Sequence, residues 1–189
     1  ARMRAIVRDL LAYGRGTRVA PRMRRLPVAA LLADLRSQLA ADLGREGVRL
    51  ETELAVPQIM ADREQAMSLL QNLIVNAIEH GAADDGTVHV TLATRDAGAG
   101  RVRLEVRDHG RGVPDAERRR IFEPFERMRR PGGIGGGTGL GLAIVAKVAE
   151  AWGGRAWVEA PADDGPGAAF VVEWPGAIAA PAAAATPGA

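Results

Sequence analysis

Between Gly132 and Leu142 the chain reads GGIGGGTGLGL and passes at once into the apolar helical stretch AIVAKVAEAW. Five glycines before Thr138 make a backbone able to enter conformations closed to other residues. The helix that follows offers unpaired N–H groups to an anion, so the segment predicts a loop that closes over phosphate. Two common phosphate folds do not fit around it. A dinucleotide fingerprint needs a strand immediately before the glycines, whereas arginines and glycines precede these. A P-loop carries its lysine directly after the last glycine, and the chain's one lysine, Lys147, lies well inside the helix.

The rest of the chain limits the frame for this loop. A length of 189 residues with 47% hydrophobic content predicts one globular domain with appendages. The absence of cysteine excludes disulfides, thiolate metal sites and cysteine nucleophiles, and favours the cytosolic side. No apolar run reaches the roughly 18 residues that a membrane helix requires, and the start lacks the apolar core of a signal peptide. The first residues open in mid-helix pattern, which predicts a fragment of a longer protein, and a membrane anchor would lie in another part of it. Eight arginines stand among the first 25 residues against one acid, Asp9. Such a block can neutralise nucleic-acid phosphates, but it holds one aromatic, Tyr13, and no reading motif. A solvated helix face is predicted, with no nucleic-acid partner.

Hydrophobic periodicity sets the elements. Met3, Ile6, Val7, Leu10 and Leu11 predict a short helix over 2–13 with one apolar stripe, too short to stand alone. Gly14, Gly16, Pro21 and Pro27 mark a linker. A second helix runs from Val28 through Leu31, Leu32, Leu35, Leu39 and Leu43 and stops near Gly47, before the alternating strand Val48, Leu50, Thr52, Leu54. Asp62 and Gln65 form a capping pair that predicts a helix from Arg63 to about His80. Its buried face carries Leu69, Leu70, Leu73, Ile74, Ala77 and Ile78, and Ser68, Asn72 and Asn76 with the Glu79/His80 pair lie on another. Val88/Val90/Leu92 and Val102/Leu104/Val106 predict a hairpin turning over Asp96 to Gly100. A short helix near Asp115 to Arg120, a helix from Leu140 to Trp152, and strands near Arg155 to Glu159 and Ala169 to Trp174 complete the pattern. The segment after Pro175, GAIAAPAAAATPGA, has the composition of a disordered tail. Helices and antiparallel strands without strict alternation predict an α+β sandwich, one sheet with helices on one face.

Three further segments carry chemistry. Asn72 and Asn76, four apart, stack on one helix face, so both amide oxygens can meet one ligand. Such hard neutral donors suit Mg2+, which keeps several waters and takes anionic ligands from a bound triphosphate. In DHGRGVP, Asp108 ends an apolar strand and two spaced glycines let backbone approach a flat ligand. An ionised carboxylate only accepts, so it takes the amino group of adenine and repels the carbonyl of guanine. A hydrogen bond to such a charged group contributes about 1.5 to 3 kcal/mol. In IFEPFERM, Phe122 and Phe125 offer two rings as anchors for the near end of the glycine loop, and Arg127, Arg129 and Arg130 lead into it. Taken singly, each has a plainer reading as polar helix surface, an Asp-Gly turn, core packing or solvated arginine.

Their order and spacing give more. QNLIVNAIEH, DHGRGVP, IFEPFERM and GGGTGLGLAIV together resemble the N box, first glycine box, F box and second glycine box of bacterial sensor histidine kinases. The resemblance covers roughly Leu26 to Trp174. It implies a Bergerat ATP-binding fold, a two-layer α/β sandwich with a mixed, mainly antiparallel sheet and helices on one face, preceded here by a short N-terminal helix. That fold is shared with type II topoisomerases, a chaperone ATPase, mismatch-repair ATPases and anti-sigma-factor kinases. The LAIV continuation and the arginine after the F box look like the histidine kinases. The implied domains are the end of a dimerisation and phosphoacceptor hairpin at 1–16, a linker at 17–27, the catalytic ATP-binding domain at 28–175 and a disordered tail at 176–189.

The resemblance also implies roles. Asn76 holds Mg2+, Asn72 lines the phosphate side, and His80 packs against the nucleotide. Asp108 reads adenine in a pocket shaped by Gly110 and Gly112, with Phe125 nearby. Arg127 reaches toward the terminal phosphate, Gly137, Thr138, Gly139 and Gly141 cover the phosphates, and Leu140 and Leu142 pack beneath. Asn76, Arg127 and Thr138 form the catalytic set. Glu79, His109, Arg111 and Trp152 depart from the family pattern. A histidine kinase also needs an acceptor in a setting resembling HELRTPL, and His80, His89 and His109 stand in no such segment. The implied function is therefore binding of Mg-ATP and delivery of its γ-phosphoryl group to a histidine on a dimerisation domain absent from this sequence, within a homodimer that serves a response regulator. Two alternatives stay open: a serine-directed kinase or ATPase of the same superfamily, and a non-enzymatic module regulated by nucleotide.

Overall fold

The computed structural model describes residues 20–126, 138–162 and 165–177. The predicted N-terminal helix, Arg127 and most of the glycine loop, Gly137 included, therefore lie outside the described residues. Strand β1 (Arg24–Pro27) leads into helix α1 (Val28–Gln38) and the short α2 (Ala40–Leu43), then β2 (Val48–Leu54) and β3 (Gln58–Ala61). Helix α3 (Arg63–His80) is followed by the hairpin β4 (Val88–Gly98) and β5 (Arg101–Asp108). A 3₁₀ turn (Arg120–Phe122), helix α4 (Gly141–Ala151), β6 (Arg155–Glu159) and β7 (Ala168–Pro175) complete the fold.

Five strands form one sheet in the order β2-β4-β5-β7-β6, and β1 pairs with β3 in a separate ribbon. β2 runs parallel to β4, and every other pair in the large sheet is antiparallel. The parallel pair exists because β3 and α3 intervene between its strands, since a parallel neighbour needs a crossover. This is the α+β sandwich expected from the pattern, with the mixed, mainly antiparallel sheet that the resemblance implies. Val90, Leu92, Val102, Leu104, Val106, Phe170 and Val172 point from the sheet toward Leu69, Leu70, Leu73 and Ile74 of α3 and Ile144, Val145 and Val148 of α4, all in one buried cluster.

Local chemistry explains the boundaries. The Asp62 carboxylate accepts from the Gln65 backbone N–H at 3.1 Å and starts α3 where the capping pair predicts. Trp174 is fully buried, donates from Nε1 to the Met60 carbonyl at 2.8 Å and meets the Trp152 ring at a tilt of 54° with centroids 5.0 Å apart. Thr94, also fully buried, is satisfied by donating from Oγ1 to the Val56 carbonyl at 2.8 Å.

Five expectations need correction. The end of the predicted linker, Arg24–Pro27, is strand β1, paired antiparallel with the unpredicted β3. The second helix is two, broken at Leu39, whose side chain stays in the core while α2 turns away toward β2. The hairpin strands run further than their apolar residues, with a bulge between Asp96 and Gly98 and only Ala99 and Gly100 at the tip. The short helix near Asp115 to Arg120 is a run of turns ending in the 3₁₀ turn. The tail is ordered at its first two residues: Gly176 and Ala177 both donate to the Gly100 carbonyl at 3.1 Å, because the β4–β5 tip offers that carbonyl at the sheet edge.

Among the described residues, the other face of the sheet carries an ion lattice in place of helices. Glu105, 5% exposed, accepts from Arg103 at 3.0 Å and pairs with Arg107 at 3.3 Å. Arg103 also pairs with Glu159, and Arg107 with Glu53 at 3.0 Å. Desolvation alone would raise the Glu159 pKa, but hydrogen bonds from Trp157 and Arg103 outweigh it and hold the carboxyl below its ordinary value. Glu105→Ala removes the buried carboxylate that Arg103 and Arg107 share and leaves each with one carboxylate partner, so urea unfolding is expected to show a loss of about 2 kcal/mol. Adding 1 M salt should shrink the difference only modestly, because this carboxylate is buried.

Candidate functional site

The site is assembled along α3. Asn72, Asn76 and His80 follow one another at intervals of four, on a half-buried stripe beside the apolar one. At its first asparagine the stripe meets the start of α4. Asn72 donates from Nδ2 to the Ser68 carbonyl at 2.8 Å, which turns Oδ1 toward Gly141, where a methyl group would lie 2.9 Å from it. At its last residue the stripe meets the end of β5. There Gly81 caps α3 with its N–H on the Ala77 carbonyl, directly against Asp108.

Asp108 is 5% exposed, although it is charged and ends a strand. Its Oδ1 accepts from the Gly110 backbone N–H at 3.0 Å. Burial pushes its pKa up, against the opposing pull of hydrogen bonds from the Gly110 and Ala168 backbones and of His109. A buried carboxylate held only by backbone donors keeps acceptor capacity for a further donor. The loop that follows is packed backbone to backbone. Gly110 lies against Gly81 and the His80 carbonyl, and Gly112, at φ 72°, lies against the Gly167 carbonyl. Gly112 and Gly167 are glycine for conformational reasons as well, since Gly167 has φ 125° and a methyl there would fall on the Asp108 carbonyl.

The far end of the glycine loop is built as an anion-accepting terminus. Helix α4 has no side-chain cap and no acidic residue in its first turn, so nothing on the helix offsets its positive end. Leu140 is fully buried beneath, Leu142 is half-buried, and the Leu140 N–H donates to Thr138 Oγ1 at 3.3 Å. The two ends of the loop are tied together by a hydrogen bond from the Phe125 N–H to the Gly139 carbonyl at 2.9 Å. Gly139, at φ 73°, sits so close to Phe125 that a methyl would lie 3.0 Å from its Cα. Phe125 therefore anchors through its backbone. The residue is 63% exposed and its own φ is 66°, which corrects the expectation of two anchoring rings, since of the two only Phe122 packs against the core.

Two elements of the site escape a reading of motifs: Gly81, which looks like a helix stop, and the Gly167–Ala168 step, which looks like a loop. Among the departures, Glu79 is exposed with Oε2 4.0 Å from His80 Nε2, and His109 places Nδ1 3.3 Å from the His89 carbonyl. Among the described residues no three His, Asp or Glu side chains gather as a metal cluster. Hard neutral amide oxygens on α3 are the donors present, which suits a cation that arrives with phosphate oxygens.

Residues 61–178 match the family model of histidine kinase-, DNA gyrase B- and HSP90-like ATPases. The chain belongs to this ATPase family. Within it, the likeness is to the catalytic, ATP-binding domain of sensor histidine kinases. The sensor histidine kinase AruS of Pseudomonas aeruginosa is 37% identical over 153 residues, covering 76% of this chain and 15% of AruS. Full-length ShkA, whose crystal structure was solved in complex with AMPPNP, superposes with a TM-score of 0.76 at 30% identity, over 93% of this chain and 36% of ShkA. The histidine kinase ThkA, in the crystal structure of its complex with the response regulator protein TrrA, shares the fold at a TM-score of 0.67 and 23% identity, over 92% of this chain and 47% of ThkA. The chain thus spans a minor part of these relatives. No described helix of this ATPase domain is long and apolar enough to cross a membrane.

Proposed function

We propose that this domain binds Mg-ATP between α3, α4 and the end of β5 and delivers the γ-phosphoryl group to a histidine on a dimerisation hairpin. The carrying observation is the placement of a buried, backbone-held carboxylate and an uncapped helix N-terminus at opposite ends of one asparagine stripe. Asp108 accepts the adenine amino group, with Gly110, Gly112, His80 and Phe125 around the base. Asn72, Thr138, Gly139 and Gly141 meet the phosphates at the start of α4 with Leu140 packed beneath them, and Gly137 and Arg127 extend that contact from the loop. Asn76 holds Mg2+, with Asn72 beside it. The metal, when bound, neutralises phosphate charge, which together with positioning is most of what phosphoryl transfer asks of a protein.

The remainder of the reading follows from the family. Residues 1–16 end the hairpin's second helix, the linker that begins at 17 joins the catalytic domain at β1, and that domain, expected at 28–175, extends by its pairing to Arg24 and Ala177. The intact protein works as a homodimer at the cytoplasmic side and passes its phosphoryl group to a response regulator, as the ThkA–TrrA complex suggests by likeness of fold. Calorimetric titration with nucleotide tests the binding step. ATP should bind with Mg2+ at least tenfold more tightly than without it, and GTP should bind at least tenfold more weakly than ATP. Equal affinity for GTP would remove the adenine assignment.

A further inference from the structure

Gly81 has no conformational need to be glycine. Its φ of −93° and ψ of 19° are open to any residue, and its N–H makes an ordinary capping bond to the Ala77 carbonyl. Space is what excludes a side chain. A methyl group there would lie 2.4 Å from Asp108 Cβ and 2.9 Å from its Cγ, while the Ala77 carbonyl stands 2.5 Å away on the other side. The loop after Asp108 also closes on this point, because a methyl on Gly110 would lie 2.8 Å from the Gly81 Cα. The end of α3 is therefore fitted against the acidic side chain of the next strand with no room for one carbon.

We propose that Gly81 is a positioning residue that sets the depth of the Asp108 carboxylate, and through it the affinity for the adenine base. This inference rests on the assignment of Asp108 to adenine. An added methyl is trapped between a helix carbonyl and Asp108. The carbonyl is fixed by the last turn of α3, whose Ala77 and Ile78 are in the core, so the strand-end side chain is what gives way. A carboxylate displaced by even half an ångström loses alignment with a donor fixed elsewhere, and hydrogen bonds weaken steeply with angle.

The test is a double-mutant cycle on ATP affinity in the 189-residue chain, with titration followed by NMR where binding is in the millimolar range. Gly81→Ala is expected to weaken ATP binding at least tenfold in the wild-type background and less than twofold in the Asp108→Asn background, since it acts through the carboxylate. A general structural defect would persist in both backgrounds, and equal losses would overturn the proposal. So would an unchanged affinity of Gly81→Ala while Asp108→Asn is impaired. An unchanged affinity of Asp108→Asn itself overturns instead the adenine assignment on which the inference rests. Should Gly81→Ala fail to fold, the wild-type chain decides: the Gly81 amide resonance is expected to shift on addition of ADP and not of Mg-tripolyphosphate. A Gly81 resonance that ADP leaves in place contradicts the proposal.

Discussion

Asp108→Asn is expected to weaken ATP binding about 100-fold and to leave the unliganded domain at least as stable as the wild type at neutral pH. The carboxylate of Asp108 must satisfy donors on two sides, the Gly110 N–H within the fold and the adenine amino group in the pocket. Asparagine has one acceptor and one donor in the same place, so whichever way it turns, one donor meets another. Losing a charged hydrogen bond and leaving a buried donor unmet costs about 3 kcal/mol, which is the factor of 100. The stability half follows from the pKa. Burial raises the Asp108 pKa above its unfolded value. A carboxyl so raised disfavours the fold at pH values above the folded pKa, and the penalty fades as pH falls toward the unfolded value. Asparagine carries no such penalty, so its advantage in a thermal melt should be present at pH 7 and shrink in acid. ATP affinity of the wild type should fall as acid protonates Asp108, beginning at a higher pH than for an ordinary aspartate, and this limb should be missing in the variant. A variant that binds ATP within threefold of wild type would place adenine elsewhere.

Asn76→Ala is expected to lower phosphoryl transfer by about two orders of magnitude while leaving metal-free nucleotide binding nearly intact. Asn76 is half-buried on the stripe and lies outside the apolar core, and alanine is the better helix former, so α3 should persist with an unchanged or higher melting temperature. What the variant lacks is an amide oxygen for Mg2+. The gain in ATP affinity on adding Mg2+, read by calorimetry, should therefore vanish, and a preserved gain would move the metal to another ligand.

Much of this arrangement was legible because it is local. Asp62 and Gln65 announce the start of α3, its 3.6-residue periodicity separates Leu69, Leu73 and Ile74 from Asn72 and Asn76, and alternation from Val88 to Val106 marks the hairpin. The parts that were not legible depend on partners far along the chain. β1 is an arginine- and proline-bearing tetrapeptide that becomes a strand because β3 lies beside it, and β3 itself is too short for its period to register. Gly81 and Gly167 look like punctuation, and only their contact with Asp108 gives them a role. Phe125 differs from its pattern for a related reason: an aromatic pair normally signals packing, but here a positive φ goes with an exposed side chain while the backbone holds Gly139.

The most direct measurement incubates the chain with γ-labelled ATP, Mg2+ and a separately supplied dimerisation hairpin bearing the acceptor histidine. The account predicts label on the hairpin that is lost in acid and kept in base, and that appears about 100-fold more slowly with Asn76→Ala. Label that survives acid, marking a hydroxyl acceptor, or ATP binding with no transfer to the hairpin, would contradict it.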